Sequence, residues 1–276
     1  MFPVLRERSG RVREARKLRR RAARTKAGLF LAEGPQAVGA ALAESAGLRP
    51  GLVVEVFVSA SAASRHAGFL DEAAQAHVPV HVADDAAVAS LSETVAPQGL
   101  VAVCRSLTVP LAEGLGAAPS LVAVLADVRD PGNAGTVIRC ADAAGADAVV
   151  LAGEAVDPHG GKCVRASAGS LFHLPVVAGV AVDEAVAMLR QCGLSVLAAD
   201  GAGTTDLDQA ADTGLLTRPT AWLFGNEAHG LPDAARQRAD HVVRIPIHGR
   251  AESLNLATAA AVCLSSSARA QRASRR

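Results

Sequence analysis

Apolar residues along this chain fall into short continuous runs separated by stretches with a helical period. LFLAE (29–33), LVVEVFVSA (52–60), VPVHVA (78–83) and LVAVCR (100–105) predict buried strands. GPQAVGAALAE after the first of them predicts a helix with Val38, Ala41 and Leu42 on its apolar face, and RHAGFLDEAAQAH (65–77) predicts another. The run SLTVPLAEGLGAAPS, rich in Pro, Gly, Ala and Ser, follows and has the composition of a linker. Strands are predicted again at LVAVLADV, DAVVLAG, HLPVVAG, SVLAAD, TAWLFGNE and HVVRIPI, with helices at DEAVAMLRQCG and from near Leu254 onward. Short apolar strands separated by helices predict a parallel sheet covered on both faces. The organisation expected is a basic N-terminal arm (1–26), a small α/β domain (27–105), a linker (106–119) and a larger α/β domain (120–276).

With 276 residues the chain can bury one large core or two ordinary ones. No uninterrupted apolar run of about 18 residues is present, and the arginine-rich N-terminus lacks a following apolar stretch, so a soluble cytoplasmic protein is expected. The five cysteines are scattered, with no CxxC pair, which argues against a disulfide framework and against a zinc site; no metal is expected. The net charge of +1 conceals an asymmetry. Residues 1–26 hold eleven of the 28 cations and two of the 27 anions, and residues 269–276 hold four more arginines, leaving 13 cations against 25 anions between the two ends. Basic ends on an acidic body suit a polyphosphate backbone, because each neutralised phosphate releases counterions. With no tyrosine, one tryptophan and six phenylalanines, a stacking platform for single-stranded bases is not expected.

Ligands of an open parallel sheet collect at the carboxyl ends of its strands. Four polar loops stand there: DVRDPGNAG (127–135), AADGAGTTD (198–206), LFGNEAHGL (223–231) and IPIHGRAESLN (245–255). None carries GxGxxG after a strand, and no GxxxxGK[ST] loop is present, which disfavours dinucleotide-dependent redox chemistry and P-loop hydrolysis. The loops instead gather neutral polar groups, Asn133, Asn226, Ser253 and Asn255, with one anion, Glu227, and one cation, Arg139. Three of these have a purely structural alternative. Asn133 suits the N-cap of the following helix and Ser253 that of the last one, and Glu227 suits pairing with backbone N–H groups. A guanidinium partly buried on an alanine-rich helix would need an anion or a ligand. Gly225 and Gly249 suit loops that a ligand approaches closely.

DPGNAGTVIRCADAAGA (130–146), LFGNEAHGL (223–231) and IPIHGRAESLNLATAAAVCL (245–264) resemble the three signature motifs of the SpoU/TrmH family of RNA ribose 2′-O-methyltransferases, within the SPOUT class. FLAEGPQAVGAAL (30–42) and ETVAPQGLVAV (93–103) resemble the small RNA-binding domain of its ribosomal-RNA branch. The departures are Ala228 and His229, where glycine or other small residues are frequent. The resemblance implies a knotted parallel-sheet catalytic domain with a C-terminal trefoil, acting as a homodimer on RNA, ribosomal RNA above all. It implies S-adenosylmethionine held by backbone groups around Leu223, Gly225, Ile245 and Leu254, and a catalytic group of Asn133, Arg139, Glu227, Ser253 and Asn255. His159, Lys162, Arg165 and Arg250 lie near the motifs as candidates for RNA contact. The competing readings are a transfer-RNA methyltransferase, a non-catalytic RNA-binding or ribosome-assembly protein of the same fold, and an unrelated nucleotide-dependent α/β enzyme.

Overall fold

The apolar runs become strands, and the strands form two separate sheets. The structure, a computed structural model, describes residues 4–226 and 230–274, and it divides into two compact units. The first comprises residues up to Leu107 together with His159–His173. Its strands β1 (Leu29–Glu33), β2 (Val53–Ser59), β3 (Val80–Ala83) and β4 (Leu100–Arg105) form a mixed sheet in the order β1-β4-β2-β3, in which only the β2/β3 pair is parallel.

Most of the segment expected as a basic arm is folded onto this sheet. Helices Gly10–Lys17 and Arg21–Ala27 occupy it, and Val12, Ala15 and Leu18, spaced by three, are buried against Leu31, Phe57, Val88 and Val103. That spacing holds one apolar stripe inward, so Arg13, Lys17, Arg19 and Arg20 face solvent. Residues 159–173, which follow the DPGNAG loop and its helix in sequence, also belong to this unit. His159 stacks on Phe30 with ring centroids 4.5 Å apart, and its Nε2 accepts from the Leu107 N–H at 3.1 Å. Arg165 pairs with Glu33 at 2.9 Å, and Arg49 donates to the Phe172 carbonyl. His159 and Arg165, expected as possible RNA contacts, are therefore occupied in packing.

The second unit holds β5 (Leu121–Ala126), β6 (Ala148–Ala152), β7 (Val176–Val180), β8 (Ser195–Ala199), β9 (Thr205–Asp206), β10 (Thr220–Phe224) and β11 (His241–Arg244). They pair in parallel throughout, in the order β7-β6-β5-β10-β8-β11-β9. Every residue of β5, β6 and β10 is buried, which is why these strands read as continuous apolar runs. One face packs Val122, Val124, Val150 and Leu223 against helix Val182–Gln191 and against Leu111 and Leu115 of a short helix within the expected linker. The opposite face carries Trp222 and Phe224. There helix Leu256–Ser274 is pinned by Trp222 Nε1, which donates to Ser267 Oγ at 2.8 Å, and by Gln271 Nε2, which donates to the Ser120 and Arg218 carbonyls. This helix lies along helix Pro131–Ala144. Because β5, β10, β8 and β11 are neighbours, the four polar loops leave the sheet from adjacent strands at one edge.

Candidate active site

The first loop is shaped by a residue held in a left-handed conformation. Asp127, directly after β5, has φ of 55°, which Asp tolerates better than most residues. Its Oδ1 accepts the Glu154 N–H at 2.7 Å, and its carbonyl accepts Asn226 Nδ2 at 2.9 Å, tying the β5 loop to the β10 loop. Gly153 lies so close that a Cβ there would overlap the Asp127 carboxylate. The chain then enters helix Pro131–Ala144, whose N-cap is Asp130 and not Asn133. Asp130 Oδ1 accepts the Asn133 N–H at 2.8 Å, and Pro131 fills the first helical position. The Asn133 side chain is thereby released from capping.

Asn255, not Ser253, caps Leu256–Ser274: its Oδ1 accepts the N–H groups of Ala257 and Thr258 at 2.9 and 3.3 Å, while its Nδ2 donates to Asn133 Oδ1 at 3.0 Å. The first and third motifs thus meet through two neutral amides. Replacing Asn255 with Ala is expected to cost about 1 kcal/mol through the lost cap. Asn255→Asp keeps an acceptor at the helix N-terminus but removes the amide donor, so activity should fall while Tm holds. Thermal unfolding beside an activity assay separates the two effects.

Gly225, Ile245, Ser253, Leu254 and Asn255 line a cavity of about 430 Å³ at the ends of β8, β10 and β11. Leu223 does not line it. It is fully buried in β10, and Phe224 stands in the wall. Glu227, Ala228 and His229 lie outside the described residues. Gly225 is required for a reason other than ligand approach: a Cβ there would overlap the backbone of Gly230 and Leu231. Gly249, by contrast, faces open space. Arg139 is exposed, without a carboxylate partner among the described residues, so the expectation of a partly buried cation does not hold. It sits six residues after Asn133, about 9 Å along the helix axis, and it is outside the cavity wall. Cys104 and Cys263 are buried and free, with burial pushing both thiols up, Cys263 to about 12, so neither offers a thiolate.

The walls combine apolar side chains with amides, a hydroxyl and two carboxylates, Asp200 and Glu252, and among the described residues no Lys or Arg lines them. That lining suits a ligand with a flat apolar part and net positive charge. Its volume lies within the range of about 300–1,000 Å³ usual for small-molecule sites.

Residues 120–265 match the model of the SpoU rRNA Methylase family. The chain belongs to that family. Within this SpoU-family chain, residues 10–102 match a second model, the MRM3-like substrate binding domain. The chain is 35% identical over 258 residues to the 23S rRNA (guanosine(2553)-2′-O)-methyltransferase RlmP of Bacillus subtilis, covering 91% of this chain and 93% of that one. Among solved SpoU-type structures it resembles an AdoMet-bound rRNA methyltransferase from Sinorhizobium meliloti, with a TM-score of 0.79 and 29% identity over 96% of this chain and 98% of that one. It also resembles the SpoU methyltransferase AviRb from Streptomyces viridochromogenes in complex with AdoMet, with a TM-score of 0.79 and 31% identity over 97% and 99% of the two chains. No helix among the described residues is long and apolar enough to cross a membrane.

Proposed function

We propose that this protein transfers the methyl group of S-adenosylmethionine to a ribose 2′-hydroxyl of ribosomal RNA, the large-subunit RNA named for its Bacillus subtilis relative being the first substrate to test. The observation that carries the reading is the junction of the first and third motifs, Asn255 Nδ2 to Asn133 Oδ1, at the edge of a cavity that suits a cationic, partly apolar ligand. S-Adenosylmethionine, when bound, supplies an electrophilic methyl group on a sulfonium.

The residues around it divide the remaining work. Gly225, Ile245 and Leu254 form the cavity wall that shields the cofactor. Asn133 and Asn255 orient the ribose hydroxyl without placing an unpaired charge beside a sulfonium. Ser253, exposed beside Asn255, adds a hydroxyl at the same edge. Arg139, exposed and without a carboxylate partner among the described residues, holds the phosphate next to the target nucleotide in a bidentate grip, and the hydroxyl proton leaves to that phosphate or to water. Glu227 completes the catalytic group by its place in the second motif. A 2′-hydroxyl acceptor also restricts the reaction to RNA.

The first unit is the RNA-binding domain in this scheme. Its helix Gly10–Lys17 borders a cleft of about 620 Å³ lined by Arg13, Arg16, Lys17, Arg19, Arg20 and Glu93. Arg16 and Lys17 pair with Glu7 and Glu14, whereas Arg13 and Arg20 have no carboxylate partner among the described residues. Replacing Arg13 and Arg20 with Gln is expected to weaken RNA binding several-fold and to reduce the slope of log K against log salt by about 1.4–1.8. Single-turnover methyl transfer at saturating RNA should be unchanged. Filter binding over a salt series reads the slope.

The same reading makes the enzyme a cytoplasmic homodimer with a trefoil-knotted C-terminus. The return of the chain from β11 to helix Leu256–Ser274, which packs on helix Pro131–Ala144, supports the knot. The test is transfer of labelled methyl groups to unmodified ribosomal RNA and, separately, to transfer RNA, followed by digestion for a methylated ribose. Label in ribosomal RNA is expected. Label in transfer RNA alone would replace the substrate, and absence of label with either RNA together with no cofactor binding would overturn the reading.

A further inference from the structure

The cavity holds a carboxylate that the three motifs do not contain. Asp200 follows β8 directly, with its side chain 15% exposed, and its position is fixed from several sides. Its N–H donates to the Val243 carbonyl at 3.1 Å, and its carbonyl accepts the Gly203 N–H at 3.0 Å. One carboxylate oxygen, Oδ1, accepts the Ala202 N–H at 2.9 Å. The other, Oδ2, faces Gly230, where even an added Cβ would stand 3.9 Å away, and lies 3.6 Å from the Arg236 guanidinium.

We propose that Asp200 binds the ribose hydroxyls of S-adenosylmethionine and so selects a ribonucleoside in this cavity, an inference that rests on the cofactor occupying it. Three observations lead there. The carboxylate stands at the carboxyl end of a parallel strand beside Gly201, in the wall of the cavity, where sheet geometry delivers an acceptor to a nucleoside. It is acceptor-only when ionised, and Oδ2 takes no hydrogen bond from the backbone contacts just described, so it can accept from vicinal hydroxyls. Arg236, which also pairs with Asp233, already places a cation 3.6 Å from this oxygen, which favours a neutral donor over a second cation. The other carboxylate of the wall, Glu252, is exposed and makes no ion pair among the described residues, and is the better partner for the ammonium or sulfonium end.

Titration calorimetry on the full chain tests this with S-adenosylhomocysteine, with 5′-methylthioadenosine, which lacks the amino-acid end, and with the 2′,3′-dideoxy form of 5′-methylthioadenosine. Asp200→Ala is expected to weaken the first two equally, by about 10-fold or more, and to leave the already weak dideoxy binding unchanged. Asp200→Asn keeps an oxygen for the Ala202 N–H, so it should retain the wild-type Tm while still losing affinity for the ribonucleosides. Loss confined to S-adenosylhomocysteine would place Asp200 at the amino-acid end and overturn the proposal. Equal loss with the dideoxy compound would reduce Asp200 to a structural residue. If the wild-type chain binds none of the three compounds, the cofactor reading of the cavity fails first and the Asp200 assignment falls with it.

Discussion

Gly225→Ala is expected to abolish measurable S-adenosylhomocysteine binding and to lower the stability of the second unit. The added Cβ would overlap three backbone atoms, the carbonyl carbon and oxygen of Gly230 and the nitrogen of Leu231. Backbone cannot rotate away as the end of a long side chain can, so the strand end and the returning chain must separate. That separation is opposed by two hydrogen bonds, Asn226 N–H to the Gly230 carbonyl at 3.0 Å and Gly230 N–H to the Asn226 carbonyl at 2.8 Å, which clamp the ends of the loop together. Overpacking of this kind costs about 1–3 kcal/mol where the surroundings can yield, and here the yielding segment forms the wall of the cavity through Gly225, Asn226, Gly230 and Leu231. Binding should therefore suffer more than Tm. Gly249→Ala is the matched control: it faces open space without a positive φ, and should change neither affinity nor Tm. Calorimetry and thermal unfolding on both variants decide the matter, and near-wild-type affinity in Gly225→Ala would show that the loop is not held as tightly as its hydrogen bonds indicate.

The two glycines also mark where sequence reading reaches its limit. Both look alike in their motifs, and ligand approach explains either, but only coordinates reveal that Gly225 accommodates the protein's own backbone. The strands were legible because burial on both faces leaves continuous apolar runs such as LVAVLA and TAWLF. The convergence of the polar loops was legible from the rule that parallel sheets bind at their carboxyl ends. The caps were harder. Asn133 and Ser253 are good capping types, yet Asp130 and Asn255 hold those positions, because the cap is set by the residue at which the backbone turns helical, and several candidates stood within three residues. This exchange matters chemically, since it frees the Asn133 side chain to meet Asn255. Continuity of the chain alone places the segment 159–173 in the larger domain. Its place in the first unit depends on Phe30 stacking against His159, at 4.5 Å between centroids, and against Phe172 at 6.0 Å, pairings that no local pattern encodes.

Arg139→Ala is expected to lower the rate of methyl transfer at least 100-fold while leaving both Tm and S-adenosylhomocysteine affinity near wild type. The structural cost should be small because the side chain is exposed and without an ion-pair partner among the described residues, and such surface changes usually stay within about 0.5 kcal/mol. Cofactor affinity should hold because Arg139 is outside the cavity wall. On the proposed reading the substitution removes a planar fork that grips RNA, and a loss of 100-fold corresponds to about 2.7 kcal/mol of transition-state stabilisation, within reach of a charge-assisted bidentate contact made as the target nucleotide is seated. Arg139→Lys distinguishes positioning from mere charge, since an ammonium keeps the cation but cannot reproduce the fork. It should retain RNA affinity and its salt dependence yet recover little of the rate. Single-turnover kinetics with saturating RNA read the step directly. Near-full activity in the lysine variant would show that charge alone suffices and that bidentate positioning is not how this residue acts. The positioning role further predicts that the pH dependence of the slow Arg139→Ala reaction follows that of the wild type. A change in its shape would instead identify Arg139 as the group that takes the hydroxyl proton.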